Sequence, residues 1–170
     1  MEQLAIFGGS PVRENKIYYG RQCIGQDDVD AVVEALKSDF ITCGPRAAAL
    51  EKKICEVTGA KYAVAVSNGT AALHLAMKLA RVKRGDVVFC SDMTFAATVN
   101  PVSYEGGKQV FIDSEKDTWN MDPIALEKAF EMYPDVKLVV YAELYGFPGH
   151  IDLVKKICEK HNFKLMYLPE

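Results

Sequence analysis

The stretch from Lys61 to Tyr104, KYAVAVSNGTAALHLAMKLARVKRGDVVFCSDMTFAATVNPVSY, decides the fold. It opens on a short apolar run, Tyr62-Ala63-Val64-Ala65-Val66, which reads as a strand. Residues 70–81 then place apolar side chains at helical spacing. Val87-Val88-Phe89-Cys90 is a second apolar run, and Phe95 to Tyr104 a second helical stretch. Strands that are apolar throughout, rather than alternating, expect cover on both faces. Alternating with helices, they imply crossovers into a parallel sheet.

The same order continues toward the C-terminus. Val110-Phe111-Ile112 is a third strand, Asp122-Pro123 opens a helix to residue 132, and Leu138 to Tyr141 is a fourth strand. A helix is expected over Ile151 to Lys160 and a fifth strand over Phe163 to Leu168. Toward the N-terminus, Pro45 starts a helix at a position proline tolerates and Gly59 closes it. Before it, Asp27 and Asp28 open a helix with Val29, Val32, Val33 and Leu36 on one face. Residues 1–25 show no period and contain Gly8-Gly9, Pro11 and Tyr18-Tyr19-Gly20, so they read as an extended arm. The expected fold is α/β, a mainly parallel sheet with helices on both faces, formed by residues 26–170 behind the arm.

Composition narrows the function classes. Net charge is −3 with acids and bases scattered, and no Lys/Arg block offers a nucleic-acid footprint. No apolar run approaches the ~20 residues of a membrane helix, and residues 1–15 lack a secretion-signal pattern. A cytoplasmic protein is expected. Five dispersed cysteines without a Cys-x-x-Cys pair read as reduced thiols, with Cys55, Cys90 and Cys158 as packing residues. His74, His150 and His161 have no second ligand at metal spacing and read as structural or solvent-facing.

Ligands of such sheets bind where strands end and helices begin. After Val66 come Ser67-Asn68-Gly69-Thr70. A glycine admits close backbone approach, Thr70 adds a hydroxyl, and first-turn N–H groups point outward, which together can cradle a phosphate. The same four residues also make an ordinary turn and N-cap. They are neither a dinucleotide fingerprint nor a nucleotide-triphosphate loop. After the next strand comes Phe95, able to stack on a flat heteroaromatic ring or simply to fill the core. Glu143 and Tyr145 follow the fourth strand, in a turn marked by Gly146 and Pro148.

Taken in order, GRQCIGQDDVDAVVEALKSDFITCGP, KYAVAVSNGTAALHLA, GDVVFCSDMTFAATVNPV, VFIDSEKDTWNMDP and LYGFPGHID resemble the DegT/DnrJ/EryC1/StrS sugar aminotransferases. These enzymes share the fold type I architecture of aspartate aminotransferase. The resemblance implies pyridoxal 5'-phosphate as cofactor, with Asn68, Gly69 and Thr70 at its phosphate and Phe95 against its ring. It places Arg21, Thr42 and Tyr145 toward a nucleotide-sugar substrate, with Asn100 near the site. It further implies glutamate as amino donor, a homodimer when full length, and a sheet completed by strands from a second half.

Two positions depart from the pattern. Glu143 stands where many relatives have histidine before Leu-Tyr-Gly, and Leu168 stands where the family has the aspartate that pairs with the pyridine nitrogen. The segment with the Schiff-base lysine and the small C-terminal domain are not among the 170 residues. The expectation is therefore an N-terminal half, inactive alone, of an aminotransferase acting on nucleotide-linked keto-sugars for cell-surface polysaccharide. Alternatives are a dehydratase of the same family, one half of a split enzyme, and a non-catalytic fragment.

Overall fold

Val87–Ser91 (β1) is buried along nearly its whole length because it has strand neighbours on both sides. In the computed structural model, which describes residues 3–18 and 20–169, β1 pairs in parallel with Lys108–Ile112 (β2) and Val136–Glu143 (β3). β3 pairs in parallel with Leu165–Pro169 (β4), giving the order β2-β1-β3-β4. Ala96–Tyr104 (α4), Pro123–Met132 (α5) and Ile151–Lys160 (α6) make the returns that parallel pairing requires. Each helix therefore runs back from the carboxyl end of the sheet.

Alternate residues of each strand serve opposite faces. Phe89, Val139 and Tyr141 meet Leu126, Ala129 and Phe130 of α5 and Val154 and Cys158 of α6. Val88, Cys90, Leu138 and Val140 meet Met77 of Gly69–Leu79 (α3), Val102 of α4, and Val82. Both faces need apolar cover, so the strands carry no polar alternation, as the sequence predicts. One carboxylate braces the helix pair on each face. Glu105, at the end of α4, receives His74 (2.6 Å) and Lys78 (2.7 Å) of α3. Glu127 of α5 receives Lys160 of α6 and His161 just beyond its end, the latter at 3.0 Å. His161 also stacks on Phe130, with ring centroids 4.4 Å apart.

The chain divides into two compact units, Met1–Ala65 and Val66–Glu170, and the sheet lies in the second. The first holds a short 3-10 turn at Ala5–Phe7 and two helices, Gln26–Leu36 (α1) and Pro45–Thr58 (α2). The Gly25 N–H donates to the Asp28 carboxylate at the head of α1 (2.9 Å). Gly59 ends α2 at φ 72°, its N–H on the Cys55 carbonyl (2.9 Å). Arg46 of α2 pairs with Glu34 of α1 at 3.0 Å.

Two expected elements differ. Residues 62–66 take no regular structure and form no ladder among the described residues; the Ala65 N–H instead donates to the Glu51 carboxylate (2.9 Å). An apolar run becomes a strand only beside a partner, and among the described residues none pairs with it. Phe163 precedes β4 rather than joining it, stacking on Phe130 at 5.1 Å.

Candidate active site

The start of α3 presents a defined set of free donors. Asn68 is extended, its side-chain oxygen accepts the Ala71 N–H (2.9 Å), and its carbonyl accepts that of Ala72 (3.2 Å). Asn68 is thus spent on capping. The N–H groups of Gly69 and Thr70 remain without a partner among the described residues, at the positive end of an 11-residue helix. A Cβ on Gly69 would meet nothing within 4 Å, so this helix end stands open.

Beside it lies a cleft of about 470 Å³. Gly69, Ala72 and Ala76 of α3, Thr98 of α4, and Met166 and Leu168 of β4 line it. α3 and α4 run the same way: Thr98 near the head of α4 shares the cleft with Gly69, and their tails meet at Glu105. Phe95 caps the head of α4 and is 72% exposed, so it is not a core phenylalanine. Asn100, on α4, is also exposed.

The carboxyl end of β3 carries the other candidates. Tyr145 adopts the left-handed region at φ 57° and is exposed. Its loop is held by Asn120, a buried side chain that accepts the Leu144 N–H (3.0 Å) and donates to the Phe147 carbonyl (3.1 Å). Glu143 is buried; one oxygen accepts the Tyr167 hydroxyl, and the other has no partner among the described residues. That contact raises the Tyr167 phenol above its ordinary value. Burial, and then the Glu143 charge, push the neighbouring Tyr141 phenol up to about 12. Arg21 and Thr42 belong to the other unit, where both are exposed.

Residues 22–167 match the model of the DegT/DnrJ/EryC1/StrS aminotransferase family. The chain belongs to this family. EpsN of Bacillus subtilis (strain 168), which bears the name of a pyridoxal phosphate-dependent aminotransferase, is 42% identical over 151 residues. That match covers 86% of this chain and 39% of EpsN. A sugar aminotransferase of Streptococcus pneumoniae, Spr1654 in its pyridoxal-phosphate form, superposes with TM-score 0.81 at 29% identity. It is covered over 38% of its length, against 88% of this chain. A GDP-4-keto-6-deoxymannose-3-dehydratase, trapped with a pyridoxal phosphate–glutamate adduct, superposes at 0.75 with 26% identity. The chain thus spans about two fifths of the length of these DegT-family relatives.

Within the family frame, sequence reading missed three residues that set the site's shape. Asn120 positions the Tyr145 loop across 24 to 27 residues of chain. Ser91, at the end of β1, accepts the Ala142 N–H (3.1 Å), continuing the sheet bonding past the last backbone pair. Gly149 packs so closely that an added Cβ would lie 2.3 Å from the Tyr141 hydroxyl. A glycine between Pro148 and His150 was the available signal for the last; nothing local marks the other two.

Proposed function

We propose that this chain holds the phosphate of pyridoxal phosphate at the head of α3, within an enzyme that moves an amino group from glutamate onto a nucleotide-linked keto-sugar. The carrying observation is the donor set: the free N–H groups of Gly69 and Thr70, the Thr70 hydroxyl and the helix dipole, opening beside a cleft. Such a set suits a dianion at a helix start. When bound, the cofactor supplies the electron sink for amino transfer.

The chain's own residues divide the work. Gly69 and Thr70 bind and orient the phosphate, and exposed Phe95 offers a ring face for stacking. Tyr145, exposed and held at a left-handed φ in its Asn120-anchored loop, is the residue we assign to contact with the substrate. Leu168 lines the cleft with hydrocarbon and offers a ring nitrogen no acceptor, so ring protonation is assigned to none of the described residues. We further propose a homodimeric, cytoplasmic whole protein serving cell-surface polysaccharide synthesis. No helix among the described residues is long and apolar enough to cross a membrane. A second reading, loss of water from a keto-sugar, is supported by the likeness to the dehydratase.

Titration of the chain with pyridoxal phosphate, followed by amide NMR, tests the phosphate assignment. The Gly69 and Thr70 amides should respond first, and Thr70→Ala should weaken binding by about 1 kcal/mol, the scale of one hydrogen bond. Shifts concentrated elsewhere, with Thr70→Ala behaving as the parent, would count against it.

A further inference from the structure

Asn68 is the only one of the chain's five asparagines that a glycine follows; Asn15, Asn100, Asn120 and Asn162 precede lysine, proline, methionine and phenylalanine. Asparagine is a thermolabile residue. Its side-chain amide carbon is open to attack by the backbone nitrogen of the residue after it. A side chain on that next residue crowds the attack, and glycine has none. At Asn100 the route is closed, because the nitrogen of Pro101 carries no hydrogen to lose.

The structure presents both partners of such an attack. Asn68 and Gly69 are exposed, and a Cβ on Gly69 would meet nothing within 4 Å. The Gly69 N–H has no partner among the described residues, so no hydrogen bond has to break before its nitrogen reacts. It stands at the positive end of α3, which favours loss of its proton. The Asn68 amide is turned back over the first turn of the helix. Its oxygen accepts the Ala71 N–H (2.9 Å), and its nitrogen donates to the Ser67 hydroxyl (3.2 Å). The bond from Ala71 draws electron density from the amide carbon and stabilises the negative charge that builds on the oxygen during attack. Asn120, by contrast, is buried and lies next to buried Met121.

We infer that Asn68-Gly69 is a self-modification site, at which the chain converts the neutral head of α3 into an anionic one. Hydroxide takes the Gly69 amide proton, the nitrogen bonds to the Asn68 Cγ, and the Cγ–Nδ2 bond breaks. The departing nitrogen takes a proton from water, which restores the hydroxide, and leaves as ammonia. A succinimide ring remains. Water then opens it at either carbonyl, giving aspartate or isoaspartate. Aspartate ranks with asparagine as a helix cap, so α3 keeps its start. Either product, however, sets a carboxylate beside the N–H groups assigned to a phosphate, and like charges repel. Ring closure needs no ligand; its effect on binding rests on the phosphate reading above.

The test is incubation of the 170-residue chain at pH 9 and 37 °C, followed by peptide mapping with mass spectrometry and an enzymatic assay of isoaspartate. Asn68 should convert at least ten-fold faster than any other asparagine, with isoaspartate in its peptide. Gly69→Ala, whose added carbon meets open space, should melt as the parent does and slow the conversion at least ten-fold. Asn68→Asp supplies one product directly and should bind pyridoxal phosphate at least three-fold more weakly than the parent. Ring closure is overturned if Asn68 persists, if conversion spreads evenly over the other asparagines, or if Gly69→Ala converts as fast as the parent. Equal binding by Asn68→Asp overturns the charge effect. Incubation with pyridoxal phosphate separates the two readings, because a phosphate on the Gly69 N–H should slow the conversion. Slowing supports both, whereas unslowed conversion at Asn68 removes the phosphate reading and leaves ring closure standing.

Discussion

Replacing Asn120 by alanine should release the loop that carries Tyr145. Asn120 is 1% exposed, and its side-chain oxygen is the acceptor for the Leu144 N–H, itself in a buried residue. Its amide nitrogen donates to the Phe147 carbonyl and to the Thr118 carbonyl (3.3 Å). Truncation leaves a buried backbone donor unsatisfied, which costs about 1–3 kcal/mol. Phe147 and Thr118 are more exposed and can turn their carbonyls to water, so they add little. The expected loss is about 2 kcal/mol, or roughly a 10 °C fall in Tm for a unit of this size. Urea unfolding monitored by circular dichroism, with hydrogen exchange at the Leu144 amide, measures both parts. Asn120→Asp is the control: it keeps the acceptor for Leu144 but loses the bonds donated to Phe147 and to the Thr118 carbonyl and hydroxyl. The Leu144 amide should stay protected in that variant and exchange fast in Asn120→Ala. A stability change under ~0.5 kcal/mol in Asn120→Ala, with unaltered exchange, would refute the positioning argument.

Gly149→Ala should destabilise by about 1–3 kcal/mol through overpacking against buried Tyr141 and Asn120, and Tyr141→Phe in the same chain should recover part of it; no recovery in a thermal melt counts against the contact. The carboxyl of Glu105 is held below its ordinary value by hydrogen bonds from Lys78 and then His74. A depressed folded-state pKa gives stability that is full above the ordinary carboxylate value and lost as pH falls through the folded one. Melts between pH 6 and 3 should show this loss, and Lys78→Ala should shrink it. Burial pushes the Cys90 thiol up to about 12 and the Cys158 thiol up to about 11. Ellman's reagent at pH 8 should therefore label exposed Cys23 and Cys43 readily, and Cys90 and Cys158 only after unfolding.

The layered architecture was legible because its signals are local. Val87–Cys90 and Leu138–Tyr141 announce two-sided burial by composition alone, and Pro45, Gly59 and Asp122 mark helix ends by their own backbone chemistry. Tyr62–Val66 carries the same apolar signal, yet a ladder is a property of two segments and one segment cannot report it. Phe95 illustrates the same limit in a side chain: its type allows core or ligand duty, and it takes the exposure at the head of α4 to exclude the first. Asn68 turned out to satisfy the cap reading while leaving the donors beside it free for the other. The Glu143–Tyr167 and Asn120–Leu144 contacts each join residues 24 apart in the chain, a distance at which sequence pattern carries no information.

Because every helix beside the sheet runs back from the strands' carboxyl ends, the heads of α3, α4, α5 and α6 all gather at one rim. Each head bears about half a positive charge from aligned peptide dipoles. The Val66–Glu170 unit is thus polarised along the strand direction by its backbone, independently of any titratable group. Lowering the pH or exchanging surface lysines would alter its net charge and its migration in a field. Neither change touches the peptide dipoles themselves, so this backbone contribution to the axis stays the same. An electric-dichroism measurement on the chain should register a backbone contribution to the permanent dipole that survives charge-neutralising surface substitutions.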